Sequence, residues 1–95
     1  MRSVLIVEDE FMIALDLQKT LESGRFRVIG PVGTVSGAIA LIQREQPELA
    51  VLDVNLGKED VLPVAAHLKA LGVPYVLATA RTRENYSNTP CLRTF

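Results

Sequence analysis

The chain carries one cysteine, Cys91, and no tryptophan. One thiol closes no internal disulfide and builds no cysteine-based zinc site, so a reducing cytoplasm is the expected location. Neither sign of charge dominates, with ten Lys plus Arg against eleven Asp plus Glu. Bulk electrostatics therefore point to no nucleic acid and no membrane surface as a partner. Apolar runs last only a few residues, which excludes a transmembrane helix. No basic, apolar, small-residue leader is present, so no signal peptide is expected. What remains is 95 residues, 48 % hydrophobic and 22 % charged, the composition of one small globular domain.

Four short stretches read as strands. Val4 to Val7 is a continuous aliphatic run, suited to a strand covered on both faces. "RVIGPV", Arg27 to Val32, is weaker, because Gly30 and Pro31 fit an edge strand or an early end. "LAVLD", Leu49 to Asp53, and "YVLAT", Tyr75 to Thr79, complete the set. Helical spacing occupies the intervals. A first helix runs from Phe11 to Ser23 with Gly24 as its stop. Thr34 caps a second helix that runs through Gln46 and is ended by Pro47. A third is capped by Asp60 or Glu59, has Pro63 in its first turn, and ends at Leu71. The alternation of strand and helix with short connections predicts a parallel sheet with helices on both faces. Beyond Thr79 the pattern fades: a short helix around Arg81 to Tyr86 and a fifth strand around Pro90 to Thr94 are only faintly indicated.

Two of the strands end in acid. "VLIVEDEF" runs from Val4 straight into Glu8, Asp9 and Glu10, and "LAVLD" ends on Asp53. In an open parallel sheet, ligands bind beyond the carboxyl ends of the strands where the strand order reverses. With order 2-1-3-4, the first and third strands are neighbours about 4.8 Å apart, and Glu8, Asp9 and Asp53 share one pocket. Each close pair repels by roughly 4 kcal/mol at 4 Å and an effective dielectric of 20. A divalent cation among them removes that cost, and Mg2+ suits an all-oxygen site that also takes phosphate oxygens. Acids after a strand also serve to start the next helix at its positive end. Glu10 is assigned to that role, Glu8 and Asp9 are open to it, and Asp53 is least suited to it because "VNLG" reads as loop.

"VLIVEDE", "AVLDVNLG" and "YVLATA" together resemble the receiver domain of two-component response regulators, over Val4 to about Ala80. The resemblance implies an α/β, flavodoxin-like parallel sheet of strand order 2-1-3-4-5, spanning 1–95 as a single domain. It implies that Asp53 is the phosphoacceptor, and that Mg2+ is held by Asp9 and Asp53, by Glu8 mainly through water, and by the backbone carbonyl of Asn55. It implies that Thr79 is the hydroxyl that answers the arrival of the phosphoryl group. The Asn-Leu-Gly after Asp53 further resembles short or stand-alone bacterial receivers.

The resemblance then fails in two places. A lysine followed by proline belongs near the end of the fifth strand; "PCLRTF" puts Thr94 and Phe95 there, with Arg93 alternating to the other face. Lys58, in the loop after Asp53, is the lysine nearest the mouth of the site. The last helix is also missing, so the chain is expected to be a C-terminally truncated or degenerate receiver. Without that helix, ~300 Å2 of unburied apolar surface forfeits on the order of 7 kcal/mol. A homodimer through the uncovered sheet face is therefore expected. His67, Arg81, Arg83 and Cys91 read as ordinary surface or strand residues. "GPVGTVSG" matches no nucleotide-binding fingerprint.

Three functions follow in order. The first is a phosphoacceptor signalling module served by a sensor histidine kinase or phosphotransfer protein, with Mg2+ and without enzyme activity of its own. The second is a pseudo-receiver that binds protein partners without phosphorylation switching. The third is a metal-dependent phosphohydrolase, which lacks an evident second catalytic acid.

Overall fold

The computed structural model describes residues 1–79 and 91–94. Strand β1, Ser3–Val7, lies buried along its whole length. Its alternate side chains divide between two apolar layers, as the period of two requires. Leu5 and Val7 join a core that takes Ala38 and Ile42 from helix α2 (Val35–Arg44) and Val64 and Leu68 from helix α3 (Leu62–Ala70). Val4 and Ile6 face the other way, against Ile13 and Leu17 of helix α1 (Phe11–Ser23). The first strand therefore reads as an apolar run because water reaches neither face.

Strand β2 (Arg27–Val32), β3 (Leu49–Asp53) and β4 (Tyr75–Thr79) pair in parallel around β1 in the order β2-β1-β3-β4, as expected. The β1–β2 register slips between Leu5 and Val7, which face Ile29 and Val32. The inserted step holds Gly30 and Pro31, and it sits on the edge strand, where a residue without an N–H is tolerated.

Strand β5, Cys91–Thr94, takes the expected place beside β4 but runs antiparallel to it. A parallel return needs a crossover of about a dozen residues or more, usually carrying a helix, and only residues 80–90 lie between the two strands. Reversal also inverts the register: Thr79 pairs with Cys91, and Val76 with Thr94. Thr94 thus lies toward the starting end of β4 and not at the acidic end, where the resemblance put it. The helix expected around Arg81 to Tyr86 lies outside the described residues, as do Arg81, Arg83 and Phe95.

Helix ends show how local chemistry operates. The Thr34 hydroxyl accepts from the Gly37 N–H at 3.0 Å, the cap expected of it. Helix α2 closes at Arg44, short of Gln46, because Pro47 disfavours helical geometry in the residue before it. At α3 the cap is Val61, with no side-chain bond; Asp60 acts one residue earlier, its Oδ1 accepting from Leu62 N–H at 2.9 Å. Helix α1 ends at Ser23 with Gly24 as its C-cap, as expected, but the left-handed turn falls one residue further on. Gly24 keeps φ −83°, and the left-handed residue is Arg25 at φ 68°. Arg25 N–H donates to Glu22 O and Phe26 N–H to Leu21 O, both at 3.0 Å. These paired bonds, with Phe26 packed near Leu21 on the α1 layer, form a Schellman close.

Over β3 and β4 the α1 layer opens into an apolar groove of about 280 Å3 lined by Val4, Leu21, Phe26, Leu49, Val51 and Val76. Among the described residues no helix is long and apolar enough to cross a membrane.

A left-handed non-glycine costs about 1–2 kcal/mol, of which glycine's greater chain entropy returns part. Arg25→Gly is expected to stabilise the fold by up to about 1 kcal/mol and raise Tm by a few degrees. Urea titration of both proteins measures it; an unchanged or lower midpoint contradicts the assignment.

Candidate functional site

The parallel register of β1 and β3 sets Val7 opposite Leu52. One step further, Glu8 and Asp53 leave neighbouring strands at the same end. The Glu8 backbone is pinned there by donating to Val32 O at 2.9 Å. Asp53 pairs with Ala78 of β4, and the next N–H, on Val54, donates to Ala78 O at 3.2 Å. Thr79, one residue beyond Ala78, ends β4 at this same edge.

Carboxylate oxygens of Glu8, Asp9 and Asp53 lie within 4.8 Å of one another. Two of the three acids are buried, Glu8 at 5 % exposure and Asp53 at 6 %, while Asp9 is exposed. Each buried acid has one backbone donor: Glu10 N–H reaches Glu8 Oε2, and Asn55 N–H reaches Asp53 Oδ1, both at 3.0 Å. These bonds are weaker than the loss of water. Burial, reinforced by the Asp53 carboxylate, raises the Glu8 pKa to about 8. Burial and the charge of Asp9 also raise that of Asp53. Both shifts favour the protonated acid, and the two carboxyls titrate as a pair.

Among the described residues no basic side chain bridges the cluster. Its donors are all oxygen, and they are close enough to face one ion. The cluster can therefore hold a metal, with Glu8, Asp9 and Asp53 as the residues that would bind it. The alternative role for these acids, starting helix α1, is not what the geometry displays. Glu10 occupies the N-cap as expected, but its side chain makes no capping bond, and α1 has no acid in its first turn.

The remaining residues fall around this centre. Asn55 is tied back to Asp53 through its N–H. Lys58 sits exposed in the turn after Asp53 and, among the described residues, no lysine joins the acid cluster by a salt bridge. A pocket of about 360 Å3 adjoins the acids, lined in part by Glu8, Asp9, Phe11, Leu15, Pro31 and Thr34. Phe11 is 72 % exposed at its rim. Sequence reasoning missed Leu56, whose side chain is buried in the α2–α3 core and anchors the loop. It also missed Gly33 and Gly57, which bring backbone against Asp9: a Cβ at Gly33 would stand 3.2 Å from Asp9 Cα, and one at Gly57 3.4 Å from Asp9 Oδ2. For Gly33 the signal available was "GPVGTVSG" itself, whose glycines pack closely against their neighbours, while Gly57 lies outside that stretch.

A doubly wound sheet with three carboxylates at its switch point defines an α/β domain built to manage concentrated negative charge. The chain belongs to the response regulator receiver domain family, whose model matches residues 4–90. Among curated relatives, the transcriptional regulatory protein PdtaR of Mycobacterium tuberculosis is 31 % identical over 80 residues, covering 83 % of this chain and 39 % of the relative. The solution structure of SdrG from Sphingomonas melonis Fr1 matches at 40 % identity and TM-score 0.78, covering 92 % of this chain and 75 % of that one. A variant of the anti-anti-sigma factor PhyR from Bartonella quintana matches at 28 % identity and TM-score 0.76, covering 83 % and 34 %. The chain thus spans well under half the length of PdtaR. Receiver domains are signalling modules of two-component systems, in which magnesium and phosphorylation are standard.

The buried acids set a pH dependence. Folded Glu8 keeps its proton to about pH 8, whereas the unfolded chain releases it near 4.5. The folded state therefore binds more protons across that window, and metal-free stability falls as pH rises through it. The expected loss is roughly 2–4 kcal/mol between pH 5 and 8, and Glu8→Gln flattens the slope. Denaturant titrations in EDTA at several pH values test this; stability that rises over that range contradicts it.

Proposed function

We propose that this domain is a phosphoacceptor module of a two-component phosphorelay, with Asp53 receiving the phosphoryl group. The observation that carries the reading is the convergence of Glu8, Asp9 and Asp53 at the carboxyl ends of adjacent parallel strands. A carboxylate oxygen of Asp53 attacks the phosphorus of a phosphohistidine on a sensor kinase or phosphotransfer protein. The new P–O bond forms as the P–N bond breaks, and its electron pair stays on the imidazole nitrogen. Glu8, Asp9 and Asp53, with the Asn55 carbonyl, are the residues that would hold Mg2+. Bound there, Mg2+ would draw charge from the transferring oxygens.

Asp53 is well placed for this work, since its Oδ1 is fixed by Asn55 N–H and its side chain is buried. Thr79 lies on the neighbouring strand at the same edge, where a hydroxyl can answer a new anionic acceptor. In this reading the domain extends over 1–95 and works in the cytoplasm through protein partners, with no nucleic acid or membrane contact of its own. A second copy of the chain covering the β3–β4 groove would supply the burial that this face lacks.

A second reading, a pseudo-receiver that binds protein without switching, is favoured by one observation. The antiparallel β5 carries Thr94 away from the acids, so the end of that strand brings no residue to the phosphoryl group. PhyR, a relative of the same fold, is an anti-anti-sigma factor, a role exercised on protein.

Intact mass after incubation with acetyl phosphate and Mg2+ separates the readings. One added phosphoryl group is expected, lost in Asp53→Asn and in EDTA. An unchanged mass in the wild type, with Mg2+ binding retained, would replace the first reading with the second. Steady release of phosphate from many esters would favour a phosphohydrolase over both.

A further inference from the structure

The segment after Asp53 is a tether as well as a connection. Leu56 buries its side chain in the α2–α3 core. The chain then turns back at once, Glu59 N–H donating to Leu56 O at 2.8 Å, with Gly57 at φ 59° on the turn. This brings the backbone of Gly57 beside the exposed carboxylate of Asp9. From the other side, Gly33 packs on the Asp9 backbone, just before α2 begins. The Glu59 carboxylate joins the two flanks: its Oε1 accepts from Val35 N–H, the first residue of α2, at 3.1 Å. The bond spans 24 positions in sequence. It pairs an anionic acceptor with one of the unsatisfied donors at a helix start, where it gains from the positive end of the helix.

We infer that Glu59 is a positioning residue for the acid cluster. Its carboxylate closes a ring of backbone around Asp9, which runs from Gly33 through Val35 and Glu59 to Gly57, and so limits the places the Asp9 carboxylate can occupy. Asp9 is the one exposed member of the cluster, and so the one whose placement packing alone does not fix. Without the tether, the 57–59 turn is held through Leu56 alone, and Asp9 spends less time facing Glu8 and Asp53. Cation affinity falls as a result. The inference rests on the reading that the cluster holds Mg2+.

Titration calorimetry with Mg2+ on the full chain tests it, with wild type, Glu59→Ala, Glu59→Gln and Glu48→Ala compared. Glu59→Ala is expected to weaken Mg2+ binding roughly three- to tenfold, less than loss of a direct hydrogen-bond partner of a ligand commonly does. Glu59→Gln keeps an acceptor oxygen for Val35 N–H and restores most of the affinity. Glu48→Ala removes a comparable carboxylate–backbone bond, to Ser3 N–H at the other end of the sheet, so it lowers Tm without weakening Mg2+ binding. Wild-type affinity in Glu59→Ala, or equal weakening in Glu48→Ala, overturns the inference. Absence of Mg2+ binding by the wild type would sink the metal reading itself. The tether is then judged alone, by amide exchange at position 59 corrected for intrinsic rate. Faster exchange in Glu59→Ala supports it, and unchanged exchange overturns it.

Discussion

Glu8 and Asp53 leave adjacent strands at the same level, and the loss of water from both shapes this end of the molecule. A carboxylate in such a place is tolerable only with a donor, a proton or a cation beside it. The structure supplies the first, one backbone N–H for each acid, and burial raises the pKa of both, which favours the second. Those donors come from the residues that open the next segments, Glu10 before α1 and Asn55 at the start of the loop. The cost of burying two acids thus fixes how the chain departs from β1 and from β3. The sheet in turn cannot slip its register, because a shift of one residue would turn Leu5 and Val7 from one apolar layer to the other and carry the acids apart.

Much of this was legible before any coordinates. β1 announces itself as an uninterrupted aliphatic run because both of its faces are covered, β3 reads alike although Leu49 and Val51 are only partly buried, and the acids that end the two runs are conspicuous for that reason. Thr34 was readable as a cap because a hydroxyl before a helical stripe has a specific partner, the N–H three residues on. What escaped was conformation that depends on neighbours. Gly24 was legible as the stop of α1, but that the left-handed turn falls at Arg25, beside Phe26 packed near Leu21, was not. Val61 was invisible as a helix start because it caps with no side chain. The direction of β5 was set by the length of the connection before it, a property that strand propensity does not carry. Glu59 appeared to be a cap for its own helix and proves to serve another.

The relatives sharpen what the geometry can be asked to explain. The family match covers residues 4–90, and it agrees with the strand order β2-β1-β3-β4. SdrG shares the fold over nearly the whole chain, whereas PdtaR extends well past the matched region. Family membership accounts for the parallel order of the first four strands. It does not account for a fifth strand that runs backwards, nor for a site with no lysine bridged to its acids among the described residues. Those two departures separate this domain's chemistry from a simple transfer of the family pattern.

One edge of the sheet has a further consequence. β2 is the outermost strand beside β1, and it carries an irregular step containing Pro31, which has no N–H to offer. An incoming strand from another molecule would find the donor row interrupted midway and the backbone twisted out of line. Templated lengthening of the sheet, the route by which exposed borders seed fibrils, is therefore blocked along this side. The residue that weakened β2 as a strand in the sequence thus guards the folded domain against polymerising through it.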